Sequence, residues 1–422
     1  MAEASTIVNL VPRPQPVGVF PLPAGYMLIP AGEGHDEIRE QLLAGKRPAE
    51  FPSSLAFYEA ALNDDLDAAA AALVGDDLIT KANRLVLDPS RELLDSLLAD
   101  EGLDAAPGLR SHVEMVGFVV GLLLDPPKPE ATDAEFAAAA HSAVATLALE
   151  RHDTAYAIES LESAAQAANA VSAPMAGQLL GQLANVQLDE GGDKRAAVTF
   201  QAAIDAMEES DLFVSRAELH VSAGAMFQEM SESAPRLMNQ AINHYHQAMA
   251  LVNAETAPET FAIANANLGL AYITMPMTEA SDQLRVGVAV QSMREALEYF
   301  TPETHPDRWS STQLNLANAL VYMPSKHQAD NIAEAVGLYE GVLQHRSRET
   351  DPQGRARVLA NQGNALAHLG VFDDAKFKLH EARAIFEEFA EEDAVRSVRG
   401  VLDEIARHES LIRQDKDAED TA

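Results

Sequence analysis

The side chains able to do chemistry in this chain are few, and their spacing argues against catalysis. There is no cysteine, which removes disulfides, thiol nucleophiles, iron–sulfur clusters and thiolate zinc sites together. His244 and His246 are the nearest approach to a metal pair, but residues two apart on a helix point to different faces. They are expected to pack and to meet solvent. The acidic pairs Asp64-Asp65 and Asp76-Asp77, and the run Glu391-Glu392-Asp393, fall at turns and helix starts. A carboxylate there accepts from free N–H groups and faces the positive end of the helix dipole, so these read as caps and not as a catalytic dyad. No phosphate-cradling GxxxxGK loop occurs, nor GxGxxG, HExxH or GxSxG. Met275, Met277 and Met323 offer adaptable apolar surface, for which packing within loops is the expected use. The chain is expected to catalyse nothing, to hold no metal and to need no cofactor.

The elements that position these residues follow from composition and punctuation. The 422 residues are 47% hydrophobic, enough for a sizeable core, while aromatics are only 5% and alanine is abundant. Small side chains let helices approach closely and alanine favours the helix, so the class is all-α. Residues 1–47 differ from the rest. Pro12, Pro14, Pro16, Pro21, Pro23 and Pro30 forbid a continuous helix. Val17, Val19, Phe20, Leu22, Tyr26, Met27, Leu28 and Ile29 between them predict an extended arm, with a short strand pair, lying on apolar surface. The protein's own helices are the expected support, and a partner is the alternative. Residues 48–130 read as an irregular helical cap that includes a hairpin turning at Asn63-Asp64-Asp65. Pro126, Pro127 and Pro129 close it.

Beyond Pro129 a repeat organises the chain over residues 131–389. The triplets Ala157, Leu161, Ala164; Ala196, Phe200, Ala203; Ala241, Tyr245, Ala248; Ala289, Met293, Ala296; Ala335, Tyr339, Val342; and Ala375, Leu379, Ala382 share one spacing. That i, i+4, i+7 pattern puts all three residues on one helix face. A small–large–small face nests against a hairpin mate. Preceding helices carry Leu268-Gly269 with Tyr272, Leu316-Ala317 with Leu320, and Gly363 with Leu366 and Gly370. Pro174, Pro258, Pro306 and Pro352 fall between units. Residues 390–413 read as a closing helix, and residues 414–422 as a disordered polar tail.

This pattern resembles the tetratricopeptide repeat, W-x2-L-G-x2-Y, then A-x3-F-x2-A, then P. The resemblance implies a right-handed superhelical solenoid of about six antiparallel helix hairpins. It departs from the family in period, since successive units here are about 39 to 48 residues apart against about 34 in the family. It departs also in the insertions that begin Met275-Pro276-Met277 and Met323-Pro324-Ser325, and at the Trp position, which is mostly replaced. In tetratricopeptide proteins the first helices line a concave groove. With Gly363 as the family's central glycine, the implied groove residues are Arg357, Asn361, Asn364 and His368 in the last unit. The unit before supplies Ser311, Asn315, Asn318 and Tyr322, and the one before that Asn267. Carboxamides both donate and accept, so a row of them can pair with an extended backbone; bonding between neighbouring helices is the equal alternative. Only Arg357 supplies positive charge on this stripe, which disfavours a clamp for a terminal carboxylate. The run from Leu359 through Asn361, Gly363 and Asn364 to His368 and Gly370, with the Met-Pro insertions, also resembles tetratricopeptide proteins that accompany actinobacterial nickel–iron hydrogenases. That resemblance implies an accessory role in assembly or stabilisation.

The formal net charge is −35. Such a surface repels phosphate backbones and anionic headgroups, so nucleic acid and membrane are not expected partners. The longest strongly apolar run, Met115 to Leu124, is far short of the ~20 residues that span a bilayer. Residues 1–20 show no basic segment followed by an apolar one, and the expected location is cytoplasmic. The expected function is a scaffold, adaptor or assembly factor that holds a client protein or peptide of basic or mixed surface. A regulatory sensor for a small molecule or signalling peptide is the alternative, and self-association into a homo-oligomer is open.

Overall fold

The computed structural model describes residues 13–129, 133–276 and 282–419. Among these residues every regular element is helical, with twenty α-helices and short 3-10 turns. The chain divides into two compact units, Met1–Met226 and Phe227–Ala422. Each hairpin is built the same way. All six small–large–small triplets predicted from spacing are buried at 2% exposure or less. Opposite them sit small residues of the preceding helix. A Cβ at Gly363 would lie 2.7 Å from Cγ of Leu379 and 3.2 Å from the Ala375 carbonyl oxygen, and one at Gly269 would lie 2.7 Å from Cγ of Met293. Glycine stands where the backbones cross most closely.

In the first unit, the arm precedes α1 (His35–Leu43), followed by α2 (Ala56–Leu62), α3 (Leu66–Ala72), α4 (Leu78–Leu87), α5 (Arg91–Leu98), α6 (Glu101–Asp104) and α7 (Pro107–Val119). Two hairpins follow, α8 (Ala134–Glu150) with α9 (Thr154–Asn169), then α10 (Ala173–Asp189) with α11 (Asp193–Met207). Helix α12 (Phe213–Met230) carries the chain across the boundary into the second unit. Asp65 and Asp77 are N-caps, accepting from Ala68 in one case and from Ile79 and Thr80 in the other.

The arm lies on the protein's own helices. Val17, Val19, Met27, Leu28 and Ile29 are buried in one cluster with side chains of α2, α4, α7, α8 and α10. Its backbone is held by side-chain amides. The Gln15 amide donates to the Ile29 carbonyl at 3.2 Å and accepts its N–H at 2.9 Å. Asn83 does the same to Leu28, at 2.8 and 2.6 Å. Gln178 of α10 donates to the Val19 carbonyl at 3.0 Å, and Glu135 of α8 accepts from the Gln15 N–H at 3.1 Å.

Two features differ from the expectation for residues 1–47. No strand forms among the described residues, because Pro16, Pro21, Pro23 and Pro30 remove N–H donors at short intervals and no ladder can run. The carboxamides replace it. Residues 35–43 form α1 instead of continuing the extended path, since no proline interrupts residues 31–47. Pro12 lies outside the described residues.

The second unit starts with α13 (Met238–Leu251) and continues with the pairs α14 (Pro258–Thr274) and α15 (Asp282–Tyr299), α16 (Pro306–Tyr322) and α17 (Gln328–His345), and α18 (Pro352–His368) and α19 (Phe372–Glu388). Helix α20 (Glu392–Glu419) closes it, burying Val395, Val398 and Ile405. Pro258, Pro306 and Pro352 each open a first helix, where their missing N–H costs nothing. Met275 and Met323 are extended C-caps just before Pro276 and Pro324, so each insertion ends its helix as the prolines require. Met277 lies outside the described residues. Helix α20 runs beyond residue 413 through residues 414–419, which were expected to be disordered; they hold neither proline nor glycine, so nothing in them breaks the helix.

Candidate functional site

The predicted stripe lies on three first helices of the second unit, α14, α16 and α18, which neighbour one another in turn. It resolves into two clusters. The first is a cavity of about 320 Å³ whose lining includes Asn318, Tyr322, Asn361 and Asn364 beside Tyr272, Ile273, Val286 and Tyr339. The second, about 390 Å³, gathers Asn267, Ser311 and Asn315 with Asp307, Arg308 and Phe300. Arg357 and His368 line neither. Arg357 is exposed and pairs with Glu391 at 3.7 Å, so the stripe's one positive charge is directed toward an acidic neighbour.

The carboxamides divide by their partners. The Tyr339 hydroxyl donates to Oδ1 of Asn318 at 2.7 Å, and Nδ2 of Asn361 donates to the same oxygen at 3.0 Å. One repeat pair earlier, the Tyr245 hydroxyl donates to Oε1 of Gln228 at 2.8 Å and also meets Asn267. Burial raises the pKa of both tyrosines, so the hydroxyls remain donors. Asn267, Asn318 and Asn361 thus bond between helices. Asn315 follows the repeat whose large residue is Met293, which has no hydroxyl to offer, and it has no hydrogen-bond partner among the described residues. Neither has Asn364. The bonded amides keep capacity as well. The Asn318 amino group and the Asn361 carbonyl have no partner among the described residues, and neither is sealed from solvent.

The first cavity therefore presents free amide donors and acceptors over apolar walls, with Tyr322 64% exposed at its edge and, among the described residues, no charged side chain in its lining. The second adds charge. Arg308 stacks over the Phe300 ring at 5.6 Å, beside Asp307. The two tyrosine hydroxyls, which decide which amides are engaged between helices, are what spacing misses. Each sits at the large position of a triplet, where spacing registers only bulk. The sequence carries only a partial signal: Tyr245 meets Asn267 on the next first helix, whereas Tyr339 bonds Asn318 on the preceding one.

The residues that could have suggested catalysis are placed otherwise. His244 stacks on Phe227 at 5.4 Å, and Nε2 of His246 lies 3.0 Å from the Tyr272 hydroxyl. Among the described residues no group of three or more histidine or acidic side chains is placed to hold a metal. No described helix is long and apolar enough to cross a membrane.

No family model matches the sequence, and no curated protein matches it. Solved structures do. Pseudomonas aeruginosa pilF is 19% identical over 58% of this chain and 97% of its own, with a TM-score of 0.34. The P58(IPK) TPR domain is 13% identical over 82% of this chain and 96% of its own, at 0.27. A circular tandem repeat protein is 14% identical over 91% and 92%, at 0.20. At these scores the assignment of tetratricopeptide-like hairpins rests on the buried triplets and their facing glycines.

Proposed function

We propose that this protein is an interaction scaffold whose second unit holds an extended segment of a client protein across α14, α16 and α18. The observation that carries this reading is the set of free amide groups on Asn315, Asn318, Asn361 and Asn364 above two preformed cavities. An extended chain offers N–H and C=O in alternation, which is what carboxamides can meet. The uncharged first cavity suits a neutral, apolar client side chain, and Arg308 with Asp307 suits a polar flank. Arg357 is engaged by Glu391, so the segment is internal to the client and not a chain terminus. The −35 charge favours a client of basic or mixed surface. An accessory role toward a nickel–iron hydrogenase, which the wording of the last repeat resembles, is the most specific form of the proposal.

A photo-crosslinking residue placed at Tyr322 tests it in the native host. The reading predicts one dominant crosslinked protein from this position. It predicts none from the same residue placed at Tyr156, which is half-exposed on a second helix of the first unit. Equal yields from both positions would refute it. Identification of the captured protein decides the hydrogenase question. A second reading, a sensor for a small molecule, is favoured by the size of the first cavity, which falls within the range of ligand pockets. It predicts no protein crosslink at Tyr322 and a metabolite that raises the melting temperature.

A further inference from the structure

The first unit has a cavity that the scaffold reading does not use. It has a volume of about 580 Å³ and lies between the docked arm, the end of α7 and the first helices α8 and α10. Its apolar lining is Met115, Phe118, Met175 and Leu179 with Tyr26 of the arm, joined by Val119, Leu123 and Leu124 from the end of α7 and the turn after it. Its α8 wall runs Ala139, Ser142, Ala143, Thr146, Glu150, one stripe of the helix. At 1.5 Å per residue that stripe is about 16 Å long. It passes from alanine to a carboxylate. The α10 wall likewise runs from Met175 to Gln182.

The polar groups of the lining are available. Among the described residues, Gln182 and the Ser142 hydroxyl have no hydrogen-bond partner, and Glu150 has no ion pair. Among the described residues, Glu150 is the only charged one in the lining. It is also the last residue of α8, where the unbonded carbonyls of the helix end add negative potential. The neighbouring Arg151 is drawn away to Asp125 at 3.5 Å. Carboxylate and helix end therefore favour the same sign of ligand charge. The methionines and aromatic rings of the lining favour an apolar body, and sulfur side chains adapt to its shape.

From this gradient we infer a second binding site, for a small cationic amphiphile: an apolar chain or ring bearing an amine, with the ammonium at Glu150 and the apolar body against Met115, Met175 and Tyr26. The site is independent of the client-binding face in the second unit.

The test uses the full chain and two matched probes, decylammonium and decanoate, both below micelle-forming concentration. Calorimetric titration should show saturable 1:1 binding of decylammonium, and the ligand should raise the melting temperature. Decanoate should bind at least about five-fold more weakly, since it meets Glu150 with like charge. Glu150→Gln should weaken decylammonium by about three-fold and narrow the gap between the probes. Ser142→Trp, which fills the groove from a half-buried wall position, should abolish saturable binding of both. Glu150 is exposed, so its variant is read even if the tryptophan variant fails to fold. Equal affinity for both probes would overturn the inference. So would binding unaffected by Glu150→Gln, absence of saturable binding, or a lowered melting temperature with decylammonium.

Discussion

Asparagine does two jobs in this molecule, and the difference lies in what faces it. Asn318 accepts from the buried Tyr339 hydroxyl and from Asn361, whereas Asn364 has no partner among the described residues. Tyr339→Phe should therefore destabilise the fold by about 1 kcal/mol, the net worth of one hydrogen bond. Asn364→Ala should change stability by less than about 0.5 kcal/mol. Urea melts of the two variants check this, and equal losses would contradict the division. A second residue-scale prediction concerns the seat of the arm. Glu135 accepts from the Gln15 N–H, and burial, acting foremost, pushes its carboxyl up to about 7. The folded state then keeps a proton that the unfolded state releases. The stability linked to this group is fully present below the ordinary glutamate range and is lost as pH rises toward 7. Glu135→Gln should match the wild type near pH 4 and exceed it at pH 8, by an amount on the order of 3 kcal/mol. His112 acts in the opposite sense. Its burial lowers its pKa to about 4, so the stability it contributes is lost as pH falls from the usual imidazole range toward 4. The two windows nearly coincide and their slopes oppose, so in the wild type they largely cancel, and Glu135→Gln should uncover the His112 limb as stability that rises between about pH 4 and 6.5. A variant whose difference from the wild type does not grow with pH would contradict the Glu135 assignment.

At the scale of elements, the close crossing of hairpin partners sets the tolerance to added atoms. A Cβ at Gly363 would press on Leu379 and on the Ala375 carbonyl, and backbone cannot move aside cheaply. Gly363→Ala should cost about 1–3 kcal/mol by overpacking. Gly400 lies on α20 with open space around it, and Gly400→Ala should instead stabilise by roughly 0.5–1 kcal/mol through helix propensity alone. Thermal melts of the pair should move in opposite directions. These crossings were legible in the sequence because the triplets repeat at fixed spacing and glycine or alanine recurs opposite them. The arm was only half legible. Its prolines excluded a helix, but the supports of Leu28 and Ile29 are Asn83, which is 55 residues away from Leu28, and Gln15. No local pattern announces a bond of that span. The clusters on the stripe were likewise visible as repeat positions, while the split between bonded and free amides depended on tyrosine hydroxyls that spacing treats as bulk.

At the scale of the whole molecule, charge and division into units matter most. A net charge of −35 makes the compact state repel itself. Raising ionic strength from about 0.02 M to about 0.3 M shortens the screening length from roughly 20 Å to about 6 Å. The melting temperature should rise with it, by about 2–5 °C, and an unchanged or falling value would show that cross-element ion pairs such as Arg294–Glu334 and Arg348–Glu388 outweigh the repulsion. The two units also differ in what covers their first helices. In the first unit the chain's own arm is buried on α8 and α10, while in the second the stripe is open. The central claim, that the open stripe is where a client is held, is tested most directly by one comparison. Tagged wild type and the double variant Asn315→Ala, Asn364→Ala are purified from the native host, and the retained partner is quantified by mass spectrometry. Neither residue has a hydrogen-bond partner among the described residues, so melting temperatures should agree while partner retention falls at least about ten-fold, the equivalent of about 1.4 kcal/mol. A partner retained equally by the folded variant would contradict the account.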